Sequence, residues 1–198
     1  MSVEAFSEVL NKIDRELWII TAQDGDRRSG LVATFVSTAS LVPTLPRMMI
    51  GLAKHHYTHD LVQASNALCM HLIDESCIDW VWRFGIPSSR DIDKFEGLQI
   101  QSGITGSPIL DDAVAWLDCR VETRFDTGDR TVFLAEVLES RTLRTECPLF
   151  VNRMLELAPA DKLKQLKLDM DRDIALDRDA ILRWRGQRTI REDQTEVR

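Results

Sequence analysis

The chain has 198 residues, 44% of them hydrophobic and 29% charged, which is the make-up of a soluble globular protein able to bury roughly 70% of its unfolded surface without disulfides. Its length fits one domain with an appendage. A net charge of −7 speaks against nucleic acid as the main partner, and no apolar run nears the roughly 20 residues of a membrane span.

Residues 3–15 read as a short helix, with Phe6, Val9, Leu10 and Ile13 at helical spacing. The start of the chain mixes acidic and basic residues and lacks a signal-peptide apolar core, so a cytoplasmic location is expected. Residues 17–22 read as a strand and the polar run 23–29 as its turn. Residues 31–36 and 48–53 are nearly all apolar, the pattern of strands buried on both faces. Thr58 reads as the N-cap of a helix from His59 to about Ser65. Residues 67–73 form the next strand. Residues 75–84 look helical, with Ile78, Val81 and Trp82 on one side, and 85–108 form a long Gly-, Pro- and Ser-bearing loop around Asp93-Lys94-Phe95. The clearest hairpin spans 113–141. Two long alternating strands flank Asp126-Thr127-Gly128-Asp129, whose glycine suits a positive φ.

From 148 onward the character changes. Pro148 and Pro159 sit where helices begin. Leu163, Leu166, Met170 and Ile174 make an apolar stripe on a charged helix. A short segment, 181–186, precedes a polar tail, 189–198, expected to be disordered. About six strands followed by helices predict a mainly β, α+β fold: a β-barrel core with a helical appendage. The four cysteines, Cys69, Cys77, Cys119 and Cys147, lack metal-ligand spacing and are expected to be buried free thiols.

Residues 30–60 carry the chemistry. Thr34, Ser37, Thr38 and Ser40 follow one apolar run, and Lys54-His55-His56-Tyr57-Thr58 follows the next. Hydroxyls, backbone N–H groups and a cation are the natural partners of a phosphate. Taken alone, such residues are also ordinary turn and cap residues. His55, His56 and His59 invite a metal, but adjacent imidazoles point apart and no carboxylate or Cys follows at ligand spacing. The cluster therefore reads as a polar loop beside a phosphate, and no metal site is expected. Trp80, Trp82 and Phe84 read as core or dimer packing, and Asp111-Asp112 as a solvated turn.

Three segments in order, GLVATFVSTAS with its Pro turn, KHHYTHDLVQASNALCMHLID, and SPILDDAVAWLDCRVETRFDTGDRTVFLAEV, resemble the flavin reductase-like family. Asp93-Lys94-Phe95 matches a further pattern of it. The resemblance covers roughly residues 15–141. It implies an FMN-binding split β-barrel over residues 1–147, with 148–198 as a helical extension packed on the same domain. It implies FMN as cofactor, with Thr34, Phe35, Val36 and Ser37 lining the flavin ring and ribityl chain. Ser37, Thr38 and Ser40 would offer hydroxyls or amides, and Lys54, Tyr57 and Thr58 would meet the phosphate, helped by the helix start after Thr58. It further implies NAD(P)H as hydride donor, an electron acceptor and a homodimer.

No Gly-x-Gly-x-x-Gly fingerprint is present, so nicotinamide would have to stack on the flavin itself. No catalytic side chain is singled out. Trp184 falls near a closing aromatic-plus-Gly segment and packs either near the flavin or simply in the protein. Arg130 stands where many family members have His, and Glu136 precedes Val137 where many have Gly. These departures bear on nicotinamide use more than on FMN binding. They keep open an electron carrier or sensor that does not turn over NAD(P)H.

Overall fold

The computed structural model describes residues 2–10 and 12–195. In chain order the elements are α1 (Val3–Leu10), β1 (Trp18–Asp24), β2 (Arg27–Ala33), β3 (Val36–Thr38), β4 (Arg47–Ala53), α2 (Tyr57–Ser65) and β5 (Ala67–Leu72). A 3-10 turn (Glu75–Cys77) leads into α3 (Ile78–Gly85). Then come β6 (Ile100–Ser102), β7 (Pro108–Leu110), β8 (Ala115–Asp126), β9 (Arg130–Thr142), α4 (Val151–Leu157) and α5 (Ala160–Thr195). Seven strands form one antiparallel sheet in the order β2-β1-β5-β8-β9-β4-β3, curled into a half-barrel, and β6 pairs with β7 apart from it. The mainly β, α+β architecture agrees with the sequence reading. No helix among the described residues is long and apolar enough to cross a membrane.

Alternation along β1 explains why the sheet is covered on both sides. Ile20 and Ala22 join the core formed with α2, including Leu52, Leu61, Val62, Leu68, Met70 and Phe133. Ile19 points the other way, into a second core with α3 and α4 that holds Val81, Trp82, Phe84, Phe95, Leu149 and Met154. Strand side chains alternate faces, so a strand buried on both sides must be apolar at consecutive positions. Trp82 and Phe84 are core residues as expected.

Two buried polar groups lock this frame. His71 has no exposure. Its Nδ1 lies 3.0 Å from the Ile19 carbonyl and its Nε2 3.0 Å from the Leu110 amide. A carbonyl only accepts and an amide only donates, so the imidazole is neutral with its proton on Nδ1. Burial pushes its pKa down to about 4. Lys94 is likewise buried, and its ammonium donates to the Gly30 and Phe84 carbonyls at 2.8 and 2.7 Å.

Several expectations change. The first helix ends at Leu10, and Phe6, Val9, Leu10 and Ile13 are exposed. The 31–36 strand is broken after Ala33, and β3 resumes as a short edge strand. The 85–108 loop contains the β6 strand and leads into β7. Helix α4 begins three residues later than a first-turn Pro148 would require, and Pro159 immediately precedes α5. Cys147 is exposed, while the other three thiols are buried. On α5, Met170 and Ile174 face solvent, and Asp173, Asp177, Ala180 and Trp184 are partly covered instead. The helix runs to Thr195 where a disordered tail was expected from 189, and residues 196–198 lie outside the described part of the chain.

Candidate functional site

The β2–β3 break is built around Gly51. Its amide donates to the Phe35 carbonyl at 2.8 Å, and a Cβ at Gly51 would lie 3.3 Å from the Phe35 Cβ. The absent side chain thus lets the break press against β4. Phe35 is left 53% exposed, and the Arg130 guanidinium lies 4.3 Å from its ring centroid, within cation–π range. Thr34 and Val36 are half-buried, and Ser37 and Thr38 face solvent. Thr38 and Ser40 line a cavity of about 320 Å³ with Pro43, Pro46 and Val137.

The β4–α2 turn carries the basic residues. Lys54 Nζ pairs with Asp126 Oδ1 at 2.6 Å, and its amide donates to the Asp129 carbonyl at 3.0 Å. Burial works to raise the Asp126 carboxyl, but the Lys54 ammonium and the Gly128 amide outweigh it and hold its pKa low. Helix α2 starts at Tyr57, with His56 in the cap position and no side-chain cap bond. Thr58 is therefore not the cap. It lies in the first turn, buried, with its hydroxyl 2.8 Å from Ser29 Oγ. The partner 29 residues upstream explains the difference, because the hydroxyl is satisfied across β2 instead of along its own helix. His59 is also drawn inward, with Nε2 2.9 Å from Thr131 Oγ1, and burial lowers its pKa.

Tyr57 opens on a second cavity, of about 490 Å³, lined by Arg27, Arg28, Arg90 and Asp93 among others. Arg90 stacks over the Tyr57 ring at 4.9 Å and pairs with Asp60 at 2.8 Å. Arg28 pairs with Asp93 at 2.6 Å, and Arg27 with Asp24. These exposed pairs contribute little to stability, so an anion can exchange with them at little cost.

Helix α5 lies across the other end of the turn. Arg130 bridges Asp129 at 2.5 Å and Asp177 at 2.8 Å. His55 faces Asp173 at 3.4 Å and Asp177 at 3.7 Å. Burial raises the Asp177 carboxyl, with Asp129 and Asp173 adding to it against Arg130 and His55. Burial, reinforced by His55, pushes His56 down to about 4, so its imidazole is neutral near pH 7. Gly128 packs under Trp184.

The candidate residues thus fall into four places. Phe35 and Lys54 share one end of the sheet with Arg130. Tyr57 lines the arginine-rimmed cavity. Thr38 and Ser40 line the smaller cavity, while Thr58 is turned into the core. Arg28 and Arg90 did not stand out in the sequence. The adjacent Arg27-Arg28 pair was a usable signal, but Arg90 reaches Tyr57 only through the fold.

The chain is 30% identical over 146 residues to a ferric-chelate reductase (NAD(P)H) from Archaeoglobus fulgidus, covering 73% of this chain and 83% of that protein. It is 29% identical over 140 residues to diflavin flavoprotein A 1 from Synechocystis sp., covering 70% of this chain. It spans only 24% of that longer flavoprotein. Among solved structures, nitrilotriacetate monooxygenase component B from Mycobacterium thermoresistibile superposes with a TM-score of 0.66 at 28% identity, over 74% of this chain and 80% of that one. The family model of the flavin reductase like domain matches residues 10–155, a stretch that takes in every strand of the sheet, and the chain therefore belongs to the flavin reductase-like family of oxidoreductases.

Proposed function

We propose that the chain binds FMN and works as an FMN-dependent oxidoreductase taking hydride from NAD(P)H. The observation that carries this reading is the basic β4–α2 turn, which holds Lys54 against Asp126 at the Arg130 end of the sheet and sends Tyr57 into a cavity rimmed by Arg27, Arg28 and Arg90. A flavin mononucleotide phosphate is a dianion that asks for cations and free helix-start N–H groups, and this corner offers both. The flat ring asks for an apolar face and polar edges. The segment 34–40, with Phe35, Ser37 and Thr38 exposed and Thr34, Val36 and Ser40 half-buried, supplies them.

FMN, when bound, accepts and passes on the hydride equivalents. The chain's own residues do the rest. Lys54, released from Asp126, and Tyr57 with Arg90 are the residues that would hold the phosphate. Ser37 and Thr38 donate to the ring edge or ribityl group. Phe35 and Arg130 would set the polarity beside the ring. Thr58 acts indirectly, since its bond to Ser29 fixes the first turn of α2 against β2. Nicotinamide as donor is supported by the relative named ferric-chelate reductase (NAD(P)H), which also suggests a chelated ferric ion as one electron acceptor. A homodimer with the flavin near its interface, and residues 148–198 packed on the same domain, complete the proposal.

A second reading, an FMN-bound electron carrier without NAD(P)H turnover, is favoured by α5. Its Asp173, Asp177 and Trp184 cover the Arg130 end of the site and narrow the approach for a nicotinamide. Titration of the purified protein with FMN, followed by mixing with NADH or NADPH, separates the readings. Bleaching of the flavin band supports the oxidoreductase; retained colour at millimolar nicotinamide supports the carrier; absence of FMN uptake removes both. Lys54→Ala is expected to weaken FMN binding by about 1.5–3 kcal/mol, and an unchanged dissociation constant would remove Lys54 from the phosphate site.

A further inference from the structure

The β4–α2 turn holds two adjacent histidines, and His59, three residues on, is turned away to Thr131 and supplies no third ligand. The fold supplies one. Asp173, on α5, places Oδ1 3.4 Å from His55 Nε2, a separation suited to two donors sharing one metal ion at bond lengths of about 2 Å. The His55 and His56 ring centroids are 4.2 Å apart, tilted by 48°. One donor atom from each of His55, His56 and Asp173 lies within 4.8 Å of the other two.

Three further features bear on this cluster. His55 Nε2 is shut off from solvent and has no hydrogen-bond partner among the described residues, so its lone pair or proton is unanswered in the place where an ion would sit. The other nitrogen, Nδ1, faces Asp177 Oδ1 at 3.7 Å. A carboxylate behind the distal nitrogen is the usual outer partner of a metal-bound imidazole. Asp177 is itself held by Arg130 at 2.8 Å, so its direction is set from the barrel side. Arg172 competes for Asp173 at 3.2 Å, but its side chain is 63% exposed, and such a contact contributes little.

We infer that His55, His56 and Asp173 form a binding site for a divalent transition-metal ion, which clips α5 to the turn that opens α2. Two imidazole nitrogens and one carboxylate oxygen suit zinc, cobalt, nickel, iron or copper, whereas magnesium and calcium prefer all-oxygen sets. Water or a small anion completes the coordination. The site is independent of the flavin reading, since neither its ligands nor its geometry needs FMN.

The test uses the full chain, stripped of metal with a chelator and titrated with Zn²⁺ by calorimetry and with Co²⁺ by visible absorption, without flavin. The expected result is one saturable ion per chain, with ligand-field bands for Co²⁺ and a rise in melting temperature that depends on metal concentration. His56→Gln and Asp173→Asn should each weaken binding at least about tenfold and abolish the thermal shift; Asp177→Asn should weaken it by about tenfold. Asp173 lies on a helix surface, so circular dichroism of Asp173→Asn checks that the variant is folded. Asp171→Asn, on the same helix but exposed, should bind like the wild type. No saturable uptake by the wild type, or wild-type affinity in Asp173→Asn and His56→Gln, would overturn the assignment.

Discussion

Lys94→Met tests the packing that carries the cavity wall. The Lys94 ammonium is buried at 5% exposure and ties β2, through Gly30, to the end of α3, through Phe84. Burial lowers its pKa from 10.5 to about 8, a penalty of about 3 kcal/mol when the group is charged. Against this stand two hydrogen bonds from a charged donor, at about 1.5–3 kcal/mol each. Removing both the bonds and the penalty should therefore leave Lys94→Met less stable by about 0–3 kcal/mol at pH 7. The pH dependence isolates the group. Its folded pKa lies below its unfolded one, so between pH 8 and 10.5 the unfolded chain holds more protons and wild-type stability rises with pH. That contribution is complete above pH 10.5 and is lost as pH falls through 8. Urea unfolding of both proteins at pH 7, 8.5 and 10 gives the difference directly, with the buried cysteines cancelling between them. The wild type should gain up to about 3 kcal/mol relative to the variant across this window. A difference that stays flat with pH would refute a charged, buried Lys94.

Other predictions follow from the same geometry. Gly128 has φ +98°, and an added Cβ would lie 2.7 Å from the Trp184 Cβ; Gly128→Ala should cost about 1–3 kcal/mol and loosen α5, seen by denaturant unfolding and by faster limited proteolysis within the helix. Unchanged stability and protection would argue against this packing. His71 should stay neutral, with its proton on Nδ1, and titrate near pH 4 in heteronuclear NMR. Because its folded pKa lies below the unfolded 6.5, it removes stability as pH falls from 6.5 toward 4. A midpoint near 6.5 would contradict its burial.

The β8–β9 hairpin was legible because alternation, length and a glycine turn all agreed, and Gly128 does adopt a positive φ. The hydroxyls of Ser37 and Thr38 were legible, but the exposure of Phe35 was not, since residues 31–36 read as one strand buried on both faces. Thr58 was not, since a threonine before a helix looks like a cap unless Ser29 is known to lie beside it. Helix α5 misled for a related reason. Met170 and Ile174 read as part of an apolar stripe, and nothing marked Asp173 and Asp177 among the other charges of the helix. The fold inverts this, because the surface under α5 presents His55 and Arg130, which attract carboxylates. Local pattern reports what a residue prefers in water; a partner supplied from 100 residues away changes the preference.

The strand order has a kinetic consequence. Strands β2, β1 and β5 lie on one side of the β8–β9 hairpin, and β4 and β3 on the other. Strand β4 pairs with β9 from Arg47↔Glu136 to Ala53↔Arg130, a closure across nearly half the chain. Non-local pairings of this kind slow folding, because chain entropy is lost before contacts reward it. Until the hairpin forms, the two halves of the sheet have nothing to dock on, and Lys54 cannot meet Asp126. The turn at 126–129 thus governs the order of assembly, and Gly128→Ala should slow the refolding limb of a chevron as well as speed unfolding. If only the unfolding limb moved, the hairpin would form after the rate-limiting step, and the two halves would find each other by another route.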